Sequence, residues 1–484
     1  MAAVFFLPAA CLSILPGALA ADDAKPASGD AFVTAGRSDP RTLVPILASD
    51  TVSAEIAGLV FNGLVKYDQN LEITGDLAES WDIVDEGLGI VFHLRKNVKW
   101  QDGVPFTAKD VEFTYRRLID PAVPTPYSGD FKKVTDFRII DPYTFKVSYS
   151  EPFVPALASW GMSVMPAHLL EGKNLMTDPF GRAPVGTGPY VFREWDAQEK
   201  IELTENPDYF EHAPYIGRFI YRVMPDADTM FLELMTGEID NMALSPLQYT
   251  RLTDTPRFQR QYKKFKYPSF TYTYMGYNLS DPLFSDARVR KAIDYAVDKQ
   301  EIIEGVFLGQ GRPLTGPILP DSWAYDKNIK PREYDRQKAE ALLKETGWAD
   351  TDKDGWLDRN GRTFEFTLLT NLGNNMRIDT AQIVQRRLKD VGIKMNIRVL
   401  EWAVFINEFI NKKRFEAVLL GWSLTPDPDC YDIWHSSKTA PGEFNFLGYS
   451  NREADRLMEE GRRTFDRAER ARIYHRLHRV IFDD

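Results

Sequence analysis

Runs with apolar residues at every second position alternate along most of this chain with runs whose apolar residues recur every three or four positions. A period of two fits a half-buried strand and a period near 3.6 an amphipathic helix, so both can be buried only if helices pack on sheets. Ile90 to Leu94, Asp141 to Ser148, Lys200 to Leu203, Arg218 to Val223, Thr363 to Thr370, Lys394 to Val399 and Ala417 to Gly421 read as strands. Ser53 to Leu64, Thr107 to Leu118, Thr229 to Met235, Ser285 to Val306, Tyr334 to Glu345, Ile378 to Val391 and Asn451 to Asp484 read as helices. Thr107 with Asp110 three residues on spells a capping box, and Asp286 sits where a helix N-terminus favours a carboxylate. The expectation is a set of mixed α/β lobes with largely parallel or mixed sheets. The Gly/Pro run 183–190 (APVGTGPY) marks a passage between domains, and composition shifts again at the tyrosine-rich stretch 267–278.

Nothing covalent helps to hold such lobes together. Residues 1–20 form an apolar run ending in Ala18-Leu19-Ala20, the small-x-small pattern of a signal peptide cleaved after Ala20. Cys11 departs with it and only Cys430 remains, which excludes an intramolecular disulfide. Pro8 occupies the aliphatic position of a lipoprotein signal, so lipid anchoring at Cys11 is the minor alternative. No later segment reaches the roughly 20 apolar residues of a membrane span, and a periplasmic chain is expected. With 59 Lys plus Arg against 70 Asp plus Glu the formal charge is −11, which argues against nucleic acid as a partner.

Signatures of catalysis are missing. The sequence contains no G-x-S-x-G elbow, Walker loop, H-E-x-x-H or C-x-x-C. Gly186-Thr187-Gly188 lacks a third glycine at dinucleotide spacing and reads as a turn. His475 and His478 share a helix face within an arginine-rich run that reads as solvated. Asp350, Asp352, Asp354 and Asp358, with Gly355, fall at the oxygen positions of a calcium loop, but Gly361 stands where the bidentate Glu would close the cage, leaving a weak candidate. No cofactor is expected.

The stretch 77–121 (LAESWDIVDEGLGIVFHLRKNVKWQDGVPFTAKDVEFTYRRLIDP) closely resembles the signature region of periplasmic solute-binding proteins that serve peptide, dipeptide and nickel ABC importers. GTGPY at 186, GEID at 237, MGYN at 275, the 284–302 run FSDARVRKAIDYAVDKQEI, EW at 401 and GW at 421 extend the resemblance over almost the whole chain beyond residue 20. It implies a bilobal type II clamp of the cluster C kind with an extra inserted domain. Lobe I would comprise residues 21–48 and 183–266, the inserted domain 49–182 and lobe II 267–484. It also implies a returning segment after the IFDD run, so the sequence is expected to stop short at Asp484. The implied function is the non-enzymatic, monomeric binding subunit of an importer, closing on a peptide or peptide-like solute and delivering it to a membrane permease. A carrier of nickel chelate, haem or oligosaccharide, or a chemoreceptor-linked sensor, is the alternative, with His435 as the residue to watch. A hydrolase using Asp39, Asp427 or Asp429 as an acid/base pair ranks last.

The same resemblance assigns ligand contacts. Asp39 matches an acidic residue beside the ligand backbone, Tyr127 a tyrosine that closes over it, and Trp402 and Trp422 aromatics that wall side-chain pockets. Arg41 is near enough in sequence to meet a ligand carboxylate. Peptide binders typically place a carboxylate three residues after the Gly-Trp tryptophan; here that position is Thr425, and the acids come later as Asp427 and Asp429. Either could supply the counter-charge for a ligand ammonium through a longer loop, as could a turn formed by Asp427-Pro428-Asp429 explain them.

Overall fold

The computed structural model describes residues 26–484, so the cleavage site after Ala20 and Cys11 lie outside the described residues. Three four-stranded sheets organise the chain. The first runs Gly29–Gly36, Ile216–Val223, Lys200–Glu205, Tyr190–Asp196 in spatial order. Its opening strand pairs parallel with Ile216–Val223, Gly29 lying opposite Ile216, and the other pairs are antiparallel.

The second sheet, Ala78–Val84, Gly89–Leu94, Thr144–Tyr149 and Val134–Asp141, is antiparallel throughout, unlike the parallel or mixed sheets expected. Its turns explain this. Asp85 and Glu86 both adopt left-handed backbone (φ 53° and 55°) to link Val84 back to Gly89, and the chain reverses as tightly between Asp141 and Thr144. Connections this short cannot carry a parallel crossover. Helix Ala108–Ile119 packs beside this sheet and starts with the expected capping box: Thr107 Oγ1 accepts from Lys109 N–H, and Asp110 accepts from Thr107 N–H at 2.9 Å. The other oxygen of Asp110 accepts from Ala167 N–H at 3.0 Å, so one side chain ties the helix start to the next segment.

First and second sheets share one apolar core. Ile201, Leu203 and Tyr221 of the first belong to the same buried cluster as Phe92, Phe145 and Val147 of the second. At its centre Phe92 stacks on Phe145 at 5.1 Å and Phe145 on Phe137 at 4.9 Å, with Trp160 against all three. Gly186 and Gly188 wedge between elements here. A Cβ on Gly186 would stand 1.8 Å from the Val60 carbonyl oxygen, while Gln101 Oε1 accepts from Gly186 N–H at 2.9 Å, so the glycines serve close packing.

The third sheet is mixed: Thr271–Tyr277, Ala417–Ser423, Glu365–Asn371, Lys394–Leu400. Val289 and Ile293, Leu343, and Val384 and Leu388, from helices Ala287–Ala296, Arg336–Glu345 and Asn375–Asp390, cover it around Phe364 and Phe366. The single helix expected over 285–306 is two, because Asp298 caps a second start at Lys299 by accepting from Glu301 N–H at 3.0 Å. Helices Arg452–Arg463 and Arg467–Asp483 form a terminal hairpin with its own core of Leu457, Tyr474 and Leu477. His478 sits fully buried in it rather than on a solvated face. Its Nδ1 accepts from Asp326 N–H and its Nε2 donates to Thr315 Oγ1 at 2.8 Å, and burial pushes the imidazole down to about 4, so it stays neutral.

Candidate functional site

The chain passes from the first sheet to the third through residues 262–270, where Phe265 and Tyr267 are about three-quarters exposed (75% and 76%). The two halves then face each other across aromatic, ionic and cationic contacts. Tyr127, on the second-sheet side, donates its hydroxyl to the Ala48 carbonyl at 2.8 Å and sets its ring edge-on to Phe444 at 5.8 Å. Phe444 meets Trp422 at 5.3 Å, and Trp422 meets Phe446 at 5.7 Å. Trp402 belongs to the same aromatic cluster, edge-on to Phe405 at 6.4 Å. Of the residues picked from sequence, the two tryptophans share one cluster on the third-sheet half, and Tyr127 meets it from the other half through Phe444, which sequence reasoning did not single out.

Asp39 and Arg41 lie on the half that carries Tyr127, away from the tryptophans. Asp39 accepts from Trp195 Nε1–H at 2.8 Å and from Gln198 N–H at 3.3 Å, and Arg182 stacks over the Trp195 ring at 3.7 Å beside it. Its oxygens thus already have donors. Arg41 donates from Nη1 to Ser49 Oγ at 3.1 Å, while its Nε is sealed from solvent with no partner.

Thr425 is exposed, and its hydroxyl donates to the Asp427 carbonyl at 3.2 Å. The acids that follow it point into the protein. Arg470 grips Asp427 with both terminal nitrogens, at 2.7 and 2.8 Å, and Arg462 Nε lies 2.9 Å from Asp429. Both acids expected to offer a counter-charge to a ligand ammonium are paired with arginines of the terminal helix hairpin, and the bidentate grip on Asp427 leaves that carboxylate little to offer a ligand.

Arg462 does more, because its other arm reaches Asp130 of the opposite half, and its carbonyl accepts from Val154 N–H at 2.8 Å. Lys438 joins the same interface, reaching the Pro126 carbonyl at 3.2 Å, Asp432 at 3.1 Å and Glu443 at 2.8 Å. Burial, and then the Asp130 charge, raise the Asp432 carboxyl to about 7, against the pull of Lys438 and Arg462. A carboxyl whose folded value lies above its ordinary 3.8 takes up a proton on folding, so its contribution is complete at low pH and is lost as pH rises towards about 7. Urea unfolding of Asp432→Asn should accordingly lose less stability than the parent between about pH 5 and about pH 8, by roughly 1 kcal/mol or more. Equal pH slopes would dismiss the assignment.

Two further arginines, Arg377 and Arg37, have no carboxylate within ion-pair distance among the described residues. Arg377 stands in the first turn of Asn375–Asp390, its Nη1 donating to Asn371 Oδ1 at 2.8 Å and its Nε buried and unpartnered. A Cβ on Gly421 would come within 2.7 Å of its Nη2, so glycine there lets the guanidinium lie against the strand. Burial, together with the like charge of Arg37, pushes Arg377 down to about 10 while Tyr274 opposes. Arg37 follows the strand Gly29–Gly36, and burial lowers it as well. The Tyr272 and Tyr274 hydroxyls beside this site are buried and raised by desolvation.

Backbone is also free here. Ala417–Ser423 pairs along its whole length with Thr271–Tyr277, but on its other edge the ladder reaches only Ala417 and Val418, with Thr370 Oγ1 donating to the Leu419 carbonyl at 3.0 Å. Among the described residues no strand is paired with Leu420 to Ser423 on that edge, and Arg377 lies against it at Gly421.

The remaining candidates lie elsewhere. Asp350, Asp352 and Asp354 bring carboxylate oxygens within 4.8 Å of one another on an exposed loop. Each closes a local turn, accepting from Gly355, Asp354 and Trp356 N–H respectively, and Asp358 is held by Thr351 at 2.7 to 2.8 Å instead of joining them. His435 stacks on Tyr431 at 4.0 Å in the interior, with Nδ1 at 2.8 Å from Ser437 Oγ. No helix among the described residues is long and apolar enough to cross a membrane.

A family model, bacterial extracellular solute-binding proteins, family 5 Middle, matches residues 72–443. The oligopeptide-binding protein AppA of Bacillus subtilis is 33% identical over 482 residues, covering 95% of this chain and 86% of that relative. Its solved structure in complex with a nonapeptide superposes with a TM-score of 0.90 at 32% identity, covering 95% and 92% of the two chains. DppA from Helicobacter pylori, solved with the peptide STSA, superposes with a TM-score of 0.85 at 28% identity, covering 94% and 91%.

Proposed function

Since this chain belongs to the bacterial extracellular solute-binding proteins of family 5, we propose that it is the substrate-binding subunit of an ABC importer that captures short peptides between two lobes and hands them to a membrane permease. The observation that carries the peptide reading is the open strand edge from Leu420 to Ser423 beside the unpaired Arg377 guanidinium. An extended peptide laid on such an edge has its own N–H and C=O groups matched, which gives affinity without reading side chains. Its terminal carboxylate then meets Arg377, which holds a charge that the protein leaves uncompensated. Trp422 and Trp402 wall the side-chain space, and Tyr127 closes over it through Phe444.

This reading anchors the ligand at its carboxylate end and leaves Asp427 and Asp429 to brace the loop. It divides the chain at residues 262–270, with 49–182 as the inserted unit. It also takes residues 1–20 as an export signal and the mature protein as a periplasmic monomer that binds without turnover.

Native mass spectrometry of the mature protein, purified without denaturant, tests it. A ladder of co-purifying peptide masses is expected, displaced by an added peptide pool and absent after unfolding and refolding. A single metal, haem or sugar mass would replace the peptide reading.

A further inference from the structure

The two halves also meet beside the contact of Tyr127 with Phe444, and there the partners all come from the chain itself. Asp130, on the second-sheet half, accepts from Ser159 Oγ–H at 2.7 Å on one oxygen and from the Arg462 guanidinium on the other. Arg462 belongs to the terminal hairpin and is buried; its carbonyl accepts from Val154 N–H at 2.8 Å, and the Phe153 ring lies 5.0 Å from its charged end. Lys438 is buried as well and donates across to the Pro126 carbonyl at 3.2 Å, while Asp432 and Glu443 hold it from its own side. Gly129 lets these surfaces approach, since a Cβ there would stand 2.9 Å from Lys438 Nζ and 3.3 Å from Asp432 Oδ1. At the rim Arg463 Nε lies 2.8 Å from Glu151. Pro126 precedes Tyr127 and Glu443 precedes Phe444, so this contact continues the aromatic one.

A clamp joined only through its ligand would leave the facing polar groups of each half for the ligand to match. Here they match one another: a buried guanidinium meets a carboxylate of the opposite half, a backbone N–H meets a carbonyl, and a ring meets a cation. Neither Arg377 nor the strand edge from Leu420 to Ser423 takes part. Resting on the peptide reading above, we propose that Pro126, Gly129 and Asp130 on one half and Lys438 and Arg462 on the other form a latch that holds the cleft shut without ligand, so that these positioning residues set how long a peptide stays. A peptide enters only the open form, so a shut resting state slows its entry and its escape together, and affinity falls only as the closed share falls. Loosening the latch therefore has a signature that damage to the binding site does not produce: the peptide arrives faster and is held less well.

Two variants of the mature protein test it. Gly129→Leu drives a side chain against Lys438 and Asp432 only when the halves are together, and Asp130→Lys sets a cation against Arg462 from the other half. Small-angle scattering, after unfolding and refolding to strip ligand, should give the parent the same radius of gyration with and without saturating Ala-Ala-Ala, and each variant a larger radius without it. In stopped flow, a closed share that drops from about nine-tenths to about one-tenth makes association about tenfold and dissociation about a hundredfold faster, so affinity falls about tenfold. A cooperative melting transition shows that a variant is folded, and either variant alone suffices. A parent that compacts only with peptide, rates unchanged in the variants, or affinity lost through slower association would overturn the latch with the peptide reading intact. If neither Ala-Ala-Ala nor a mixed peptide pool binds the parent, the peptide reading falls, and the unliganded radii decide the latch: a variant larger than the parent upholds it, and equal radii overturn it.

Discussion

Arg462→Met should lower the free energy of unfolding near pH 7 by about 3–5 kcal/mol, the loss typical of removing one member of a buried ion pair. Arg462 is only 4% exposed, yet it touches Asp130 and Asp429 and lies over the rings of Tyr431 at 4.2 Å and Phe153 at 5.0 Å. Methionine replaces much of the packing with those rings. What it cannot replace is the charge, and its loss leaves Asp130, Asp429 and Asp432 facing one another with Lys438 as the nearest cation. Burial already raises the Asp429 carboxyl, and without the guanidinium these acids are driven further towards the protonated form. The deficit should therefore shrink on going from about pH 7 to about pH 5, where the proton costs less to acquire. Urea denaturation at the two values measures both parts. A loss under about 1 kcal/mol at pH 7 would mean that solvent screens the pair as it screens a surface bridge.

Arg377→Met should have the opposite profile: peptide affinity falls by about a hundredfold or more, while the unliganded protein is no less stable. The first follows from removing a charge-assisted partner of a desolvated carboxylate, typically worth about 2–5 kcal/mol, each 1.4 kcal/mol being tenfold. The second follows because Arg377 has no acid to abandon, and losing its hydrogen bond to Asn371 is offset by removing a buried, desolvated charge. Titration calorimetry and thermal melting of the same samples give both readings. A variant that binds normally would remove Arg377 from the site. One that binds poorly and melts much lower would make it a structural residue.

How far the sequence discloses this arrangement depends on how local the controlling contact is. Thr107 and Asp110 lie three residues apart, and the helix they start was readable from that spacing alone. The break at Val297 was not, because Asp298 and Glu301 sit inside a run whose apolar period continues unbroken. Family resemblance pointed to Trp422, Trp402 and Tyr127; the two tryptophans fall in one cluster, which Tyr127 meets across Phe444 from the other half. The meaning of Asp427 and Asp429 depends on Arg470 and Arg462 of the terminal hairpin, the first within the run that reads as solvated and the second unmarked in the sequence. Arg37 and Arg377 carry no local mark at all. The hint available in sequence was negative: Arg377 sits in NNMRID with no acid one helical turn before or after it, so its charge had to be answered from elsewhere.

The strand Gly29–Gly36 has a consequence for the order in which this protein can form. Among the described residues it pairs with Ile216–Val223 on one edge and bridges Asn241 from Thr34 on the other, so it waits for nearly half the chain before it can pair. Closing so long a loop is slow even though lengthening it adds little entropy, and folding rates fall as such distant pairings accumulate. Residues 29–36 thus stay unpaired while the chain is being made. For a member of an extracellular family that delay is an asset, because a translocation pore admits an open thread and a finished sheet would have to be pulled apart first.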